Sequence, residues 1–215
     1  MALVAYHPSL VDGLREPSTS DPWRVLVSGC LYGWQCGVDA SDYGLPVTLA
    51  HLVTLPTFRA LPFCPEQYAL GTPRTMPDIH GGDGVDVVHG RAKVFDEHGV
   101  DLTEKMLAGA HAMLAFAQKE RAELAILTDM SAACGSQVIS EGCRLVEERH
   151  YQKGVGVATA VLLEARIPVV SQRDFHTLAL IRARLEPGFE PPADARDHHD
   201  HAWTLEHLPQ RHPRA

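Results

Sequence analysis

The stretch that decides the fold is Arg24-Val25-Leu26-Val27-Ser28-Gly29-Cys30-Leu31, with Tyr32-Gly33-Trp34-Gln35-Cys36 directly behind it. Val25 to Val27 is a β-branched and aliphatic run, bounded by Asp21-Pro22 upstream and Ser28-Gly29 downstream. Such a run, closed by turn formers on both sides, predicts a buried strand. The chain breaks at Gly29 and sets a thiol, Cys30, just past the strand's carboxyl end. In open α/β sheets that edge is where ligands bind. The arrangement recurs twice. Phe58-Arg59-Ala60-Leu61-Pro62-Phe63 leads into Cys64-Pro65-Glu66, and Leu124-Ala125-Ile126-Leu127-Thr128-Asp129 leads into Ser131-Ala132-Ala133-Cys134-Gly135-Ser136. Three apolar runs each end in a turn carrying one cysteine, and a shared sheet edge would bring the three thiols together.

Outward from these strands the spacing predicts helices. Pro46 to Thr54 reads as a short helix with Leu49, Leu52 and Val53 on its apolar face. Asp101-Leu102-Thr103-Glu104 has capping-box spacing, with Asp101 as N-cap. The helix it opens runs to about Glu120 and buries Met106, Leu107, Ala110, Met113, Leu114 and Ala117. Gly154 to Ala165 reads as another apolar helix, Ile167 to Val170 as a fourth strand, and Asp174 as the cap of a last helix through about Leu185. Val85 to Val88 and Arg91 to Phe95, on either side of His89-Gly90, read as a small hairpin. Gly71-Thr72-Pro73-Arg74 and Gly81-Gly82-Asp83-Gly84 are turn chemistry of a length that is usually functional or disordered.

Strands alternating with helices give the fold class: α/β, a single three-layer domain with a mostly parallel sheet, helices on both faces, and a small β-hairpin insertion. The expected organisation is an N-terminal arm at 1–22, the domain at 23–186, and a Pro/His-rich C-terminal tail at 187–215 that packs late or not at all. The tail's Asp197-His198-His199-Asp200-His201 reads as a solvated segment with incidental metal affinity.

The bulk properties narrow the function classes. The chain has 215 residues, 45% of them hydrophobic, which suits one domain with a substantial core. A formal charge of -8 and 7% aromatic residues argue against a nucleic-acid partner. A small anionic substrate stays open, because a few local arginines can outweigh a weak global field. The first residues carry no basic region followed by an apolar core, and no apolar run approaches the roughly 20 residues that span a bilayer. The expectation is a cytoplasmic protein without a membrane partner; the oligomeric state is not legible. Five cysteines in such a chain point to metal or catalytic thiols rather than to a disulfide framework.

A single buried cysteine is more often a small core residue than a ligand. Three at equivalent strand ends, each flanked by Ser, Gly or Pro, are harder to dismiss. Thiolates suit zinc, copper(I) or an iron–sulfur cluster. Structural zinc favours paired ligands such as Cys-x2-Cys, and no such pair occurs in this chain. Three isolated thiols fit a cubane with one iron left without a protein thiolate, free to act as a Lewis acid.

The motif set resembles the DUF523 family, to which the thiouracil desulfidases belong. Its typical members read Ser-Ala-Cys-Leu, Asn-Cys-Arg-Tyr-Asp-Gly, Cys-Pro-Glu, Thr-Pro-Arg, Gly-Gly-Asp-Gly and Ser-Pro-Ser-Cys-Gly. In the same order this chain has Ser28-Gly29-Cys30-Leu31, Gln35-Cys36-Gly37-Val38-Asp39, Cys64-Pro65-Glu66, Thr72-Pro73-Arg74, Gly81-Gly82-Asp83-Gly84 and Ser131-Ala132-Ala133-Cys134-Gly135. The resemblance runs from about Arg24 to Phe175. It implies an oxygen-sensitive [4Fe-4S] cluster on Cys30, Cys64 and Cys134. It also implies non-redox replacement of sulfur by oxygen on a thiolated pyrimidine, thiouracil or 4-thiouridine monophosphate, with release of sulfide. The rival from another class is a non-catalytic iron–sulfur or zinc-binding sensor, which would not need the Thr72–Arg74 and Gly81–Gly84 loops to face the metal. The chain departs from the family at Ala133, where Pro is usual, and at Asp129-Met130, where a Lys and a second charged residue are common. The segment Glu141 to Lys153 is also longer and more charged than usual.

Replacing sulfur by water's oxygen needs a base and a proton donor. Glu66 and Asp39 are the carboxylates best placed for that work, unless both merely hold loop amides; Ser131 joins them as a catalytic candidate. Arg74 is the candidate fork for a substrate carbonyl or phosphate, against a plain salt bridge to Asp83 or Asp78. Asp83, Ser28 and Ser136 complete the substrate-binding candidates, with turn capping as the bland role for Asp83. Cys36 reads equally as a group beside the cluster, including a persulfide acceptor, or as a loop thiol packed by Trp34. Cys143 reads as structural.

Overall fold

Val25 and Val27 face one side of their strand and Leu26 the other, and the layers of the molecule follow from that alternation. In the computed structural model, residues 12–44 and 47–208 are described. The chain runs β1 (Trp23–Ser28), a 3-10 turn (Gly29–Tyr32), α1 (Val47–Leu52), β2 (Phe58–Phe63), α2 (Pro65–Leu70), β3 (Asp78–His80), α3 (Gly84–Val88) and β4 (Lys93–Phe95). It continues through α4 (Thr103–Lys119), β5 (Leu124–Leu127), β6 (Val138–Ser140), β7 (Tyr151–Lys153), α5 (Val157–Glu164), β8 (Val169–Ser171) and α6 (Phe175–Leu185). A second 3-10 turn (His198–Asp200) and α7 (Ala202–His207) close it.

The main sheet has the order β2-β1-β5-β8, and all of its pairs are parallel. Parallel neighbours require crossovers, and helices cover both faces as expected. Leu26, Ala125, Leu127 and Val169 pack against α4 and α5. Val25, Val27, Ile126 and Val170 pack against α1 and α6. In α4, Met106, Ala110, Met113 and Ala117 are buried, while Leu107 and Leu114 flank them partly buried. The chain leaves β1 toward β2 on one side and returns to β5 on the other. The sheet therefore splits its connections at the carboxyl ends of β1 and β5, the place where open α/β sheets form a crevice.

Several local expectations are corrected. Val85 to Val88 is not a hairpin strand but helix α3. Asp83 caps it, accepting from the Val85 and Asp86 amides, while the Asp86 carboxylate accepts from the Asp83 amide. That reciprocal cap overrides the β-branched run; the hairpin is instead β3 with β4, antiparallel. Gly84 is where α3 meets α5: a Cβ there would sit 2.2 Å from the Gly156 carbonyl oxygen, so only glycine lets the two backbones approach. The long helix begins one residue later than its box suggests. Leu102 is its N-cap position, and Asp101 instead accepts from the Thr103 amide and pairs with Lys93. A second antiparallel pair, β6 with β7, brackets the charged loop between Ser140 and Tyr151.

The tail is the largest correction. Its described part, 187–208, packs onto the domain. The Asp197 carboxylate accepts from both the amide and the hydroxyl of Thr177 on α6, and Asp197 and His198 are buried. Asp174 occupies the N-cap position of α6 but turns its carboxylate away from the helix, toward the Ser171 and His198 amides.

Candidate active site and metal centre

At the split between β1 and β5 lies a cavity of about 400 Å³. Cys30, Cys64 and Cys134 all line it. Cys30 sits in the 3-10 turn that ends β1, and its Sγ is 3.0 Å from the hydroxyl of Thr128 at the end of β5. Cys64 is the N-cap of α2; its sulfur accepts from the Gln67 amide at 3.3 Å, and Pro65 starts the helix with its fixed φ. Cys134 is on the loop after β5, 6% exposed, and close enough to Cys64 and Cys30 for their charges to act on it.

Cys36 is the fourth thiol of the wall. It donates to both Cys30 and Cys64, which holds those two thiols below the ordinary cysteine range and pushes Cys36 itself far above it. Burial pushes Cys134 up, opposed by a hydrogen bond with Ser28. Gly29 makes this close gathering possible. A Cβ there would lie 2.7 Å from the Trp34 ring and 3.3 Å from both the Cys36 sulfur and the Cys64 Cβ. Trp34 thus packs over Gly29, and Cys36 sits inward of it, between two thiols rather than in the loop alone.

Glu66 and Ser131 meet on the same wall. The Ser131 hydroxyl donates to Glu66 Oε1 at 3.1 Å, and it accepts from the Ala133 and Cys134 amides. Glu66 Oε2 is gripped by Arg74, whose Nη2 approaches to 2.6 Å and Nε to 3.1 Å. Arg74 spends its remaining contacts on the Gly37 and Gly71 carbonyls and the Thr72 hydroxyl. Neither an open fork for substrate nor a salt bridge to Asp83 or Asp78, Arg74 is the clamp that aims Glu66. Ser28 lines the cavity and accepts from the Thr128 amide.

Three candidates are not brought to this wall. Asp39 is exposed and binds the amide and hydroxyl of Ser41, closing its own turn. Asp83 caps α3 and does not line the cavity. Ser136 is buried but off the cavity lining; its amide donates to Asp129, while its hydroxyl has no hydrogen-bond partner among the described residues. Of the two loops that separate an enzyme from a sensor, the Thr72–Arg74 loop reaches the cavity and the Gly81–Gly84 loop does not.

Sequence reasoning passed over Thr128, Asp129, Arg144 and Arg173, all of which line the cavity. Arg144 donates to Asp78 through Nε, to the Met130 carbonyl through Nη1 and to the Pro77 carbonyl through Nη2, so two of its N–H groups have no partner among the described residues. Arg173 is exposed, and its guanidinium makes no hydrogen bond or ion pair among the described residues. The one available signal for Arg144 was its place in the unusually long charged segment. Among the described residues no group of three His, Cys, Asp or Glu side chains is gathered to hold a single metal ion. Three thiols that line one cavity offer it a soft donor set, with the Glu66 carboxylate close enough for its charge to act on each of them. Nor is any described helix long and apolar enough to cross a membrane.

A parallel sheet split at its carboxyl edge, with three strand-end thiols around one cavity, defines a class of α/β proteins with a thiol-lined site. Comparison with known proteins narrows it: the 2-thiouracil desulfurase family model matches residues 25–174, and the chain belongs to that family. The protein YbbK of Bacillus subtilis (strain 168) is 34% identical over 155 residues, which are 72% of this chain and 99% of YbbK. A solved structure titled [4Fe-4S]-dependent thiouracil desulfidase TudS (DUF523Vcz) superposes with a TM-score of 0.61 at 29% identity, covering 75% of this chain and 98% of its own.

Proposed function

We propose that this chain is a [4Fe-4S]-dependent desulfidase that exchanges the sulfur of a thiolated pyrimidine for the oxygen of water and releases sulfide. What supports the reading is one observation: the three strand-end thiols open onto the same cavity as a hydrogen-bonded Glu66–Ser131 pair. Cys30, Cys64 and Cys134 would hold the cluster, and their thiolate-only donor set fits it. When bound, the cluster supplies an iron without a protein thiolate, a Lewis acid toward the thiocarbonyl sulfur. The overall exchange balances as C=S plus H₂O giving C=O plus H₂S, with no electron donor or acceptor.

The chain's own residues handle water and protons. Glu66, aimed by Arg74, takes a proton from the attacking water; Ser131, hydrogen-bonded to Glu66 on the same wall, relays a proton to the departing sulfur or the ring. Thr128 and Cys36 fix the thiols of Cys30 and Cys64 by hydrogen bonds. The finer reading is a nucleotide substrate, 4-thiouridine monophosphate. Arg173, and the two N–H groups of Arg144 without a partner among the described residues, offer a phosphate what Arg74 cannot.

The test is anaerobic reconstitution with iron and sulfide, then sulfide release from 4-thiouracil, 2-thiouracil and 4-thiouridine 5′-monophosphate. Release should vanish in Cys134→Ala. Arg173→Ala should raise KM for the nucleotide about tenfold, the cost of one charge-assisted contact, and leave the free bases unchanged. A loaded protein that releases no sulfide from any of the three removes the desulfidase reading. Equal effects of Arg173→Ala on nucleotide and base remove the phosphate assignment.

A further inference from the structure

Beyond β5 the chain turns at Asp129, and Met130 is held in the left-handed region at φ 60°, a conformation non-glycine residues rarely adopt. What holds the turn is one carboxylate. Asp129 Oδ1 accepts from four backbone amides: Met130 at 3.0 Å, Ser136 at 2.9 Å, Gln137 at 3.2 Å and Val138 at 3.1 Å. The segment 130–138, which carries Ser131 and Cys134, is thereby closed into a ring around a single oxygen.

The other oxygen, Oδ2, is 2.6 Å from Nδ1 of His198, and both side chains are buried. Burial pushes the Asp129 carboxyl up, but the His198 hydrogen bond and the loop amides outweigh it and hold the group below the usual carboxylate range. An ionised carboxylate only accepts, so Nδ1 carries the proton. His198 is itself pinned from three sides. Its amide donates to Asp174 at 3.1 Å, the preceding Asp197 is locked onto Thr177, and the following His199 pairs with Gln137 of the loop at 3.0 Å.

His198 lies outside residues 25–174, the family region, in a chain whose relatives align over 98–99% of their own length and leave about a quarter of this chain unmatched. We infer that the C-terminal extension is a part of the site. His198 is a positioning residue that fixes the rotation of Asp129, and through it the loop presenting Cys134 and Ser131 to the cavity. A carboxylate without His198 could turn and share its oxygens unevenly among the four amides; with Oδ2 engaged from behind, Oδ1 stays in their reach. The inference rests on reading Cys134 as a cluster ligand only for its consequence, not for the geometry.

The first arm of the test therefore uses reduced, metal-free protein under anaerobic conditions. Each cysteine's labelling rate with a maleimide is followed by mass spectrometry in wild type, His198→Ala and His198→Asn. Asn places an N–H donor where Nδ1 stands. We expect Cys134 to label about tenfold faster in His198→Ala, with Cys30, Cys64 and Cys143 within about twofold of wild type, and His198→Asn to return most of the protection. The tenfold corresponds to the weakening of one buried charge-assisted hydrogen bond. Amide exchange at Ser136, Gln137 and Val138 should rise with it while the β5 amides stay protected. Should the alanine variant not fold, His198→Gln, which displaces the donor by one methylene, carries the same comparison.

In a second arm the reconstituted His198→Ala protein should lose iron to a chelator several-fold faster than wild type. An unchanged Cys134 rate overturns the inference. So does a parallel rise at all five cysteines, which would make the extension a general prop. Correct labelling with no sulfide release from any substrate would leave the positioning role standing and sink only the desulfidase reading.

Discussion

Cys64 and Cys134 arrive at the same cavity by opposite means. Cys64 is placed by its neighbours: a strand ends, the sulfur caps the next helix, Pro65 sets the first turn, and Gly71 closes the last one with φ 83°. Every part lies within eight residues of the thiol. Cys134 is placed from afar, on a loop closed by Asp129, backed by His198 sixty-nine positions away from that aspartate, and tied at Met130 to Arg144. A local device can be cut without disturbing its surroundings. A remote one fails as a unit, so the two halves of the proposed metal centre should respond differently to substitution.

The largest difference is expected at Asp129. Asp129→Ala removes the acceptor of four amides and leaves His198 buried without its partner. A loss of about 3–5 kcal/mol follows, the range for breaking a buried ion pair or network. Urea unfolding measures it. A loss below about 1 kcal/mol would mean the loop is held by its backbone contacts, such as Met130 N to Val138 O, and the contrast with Cys64 would collapse. Asp83→Ala sharpens the contrast from the other side. It removes a cap that serves two amides of α3, outside the cavity, and should cost about 1–2 kcal/mol while leaving sulfide release unchanged. A fall in release without a change in iron content would return Asp83 to the substrate site from which its geometry removes it.

That contrast also decides what the sequence could convey. The strand-end thiols were legible because a run of four to six apolar residues and the turn after it are local signals, and the parallel sheet turned three such signals into one site. Glu66 and Arg74 were both visible as candidates. Their pairing was not, because the Thr72–Arg74 loop folds back over α2 by tertiary contacts. Asp83 carried the sign of its real role, a capping box with Asp86, yet Val85 to Val88 weighed toward a strand through β-branching alone. His198 was beyond reach. A run of histidines and aspartates has the composition of a solvated tail, and nothing within ten residues announces that a buried carboxylate before the Cys134 loop lacks a partner. The departure at Asp129, where the family pattern leads one to expect a Lys, was the one trace of it, and the imidazole that meets this carboxylate sits in the extension.

The smallest expected effect concerns how the extension is fastened, and it depends on pH. Asp174 takes the Ser171 and His198 amides and a hydrogen bond from the Gln137 side-chain amide. Burial, reinforced by the Asp129 charge and opposed by those amides and by His198, pushes its carboxyl up to about 6. In the unfolded chain the same group titrates near 4. Between those values the folded protein holds a proton that the unfolded chain has released, so this group's stabilising contribution is complete below about pH 4 and is lost as pH rises through about 6. From pH 7 to pH 5 the unfolding free energy should therefore gain on the order of 1 kcal/mol from this carboxyl. Asp174→Asn, which cannot titrate, should flatten that part of the profile, read as the difference between the two proteins' urea midpoints at each pH. Because Asp174 holds the His198 amide, maleimide labelling of Cys134 in the metal-free wild type should slow over the same interval, relative to Cys143 in the same sample. A labelling ratio that does not follow the stability difference would separate the fastening of the tail from the positioning of the loop, leaving Asp129 as the lone support of Cys134.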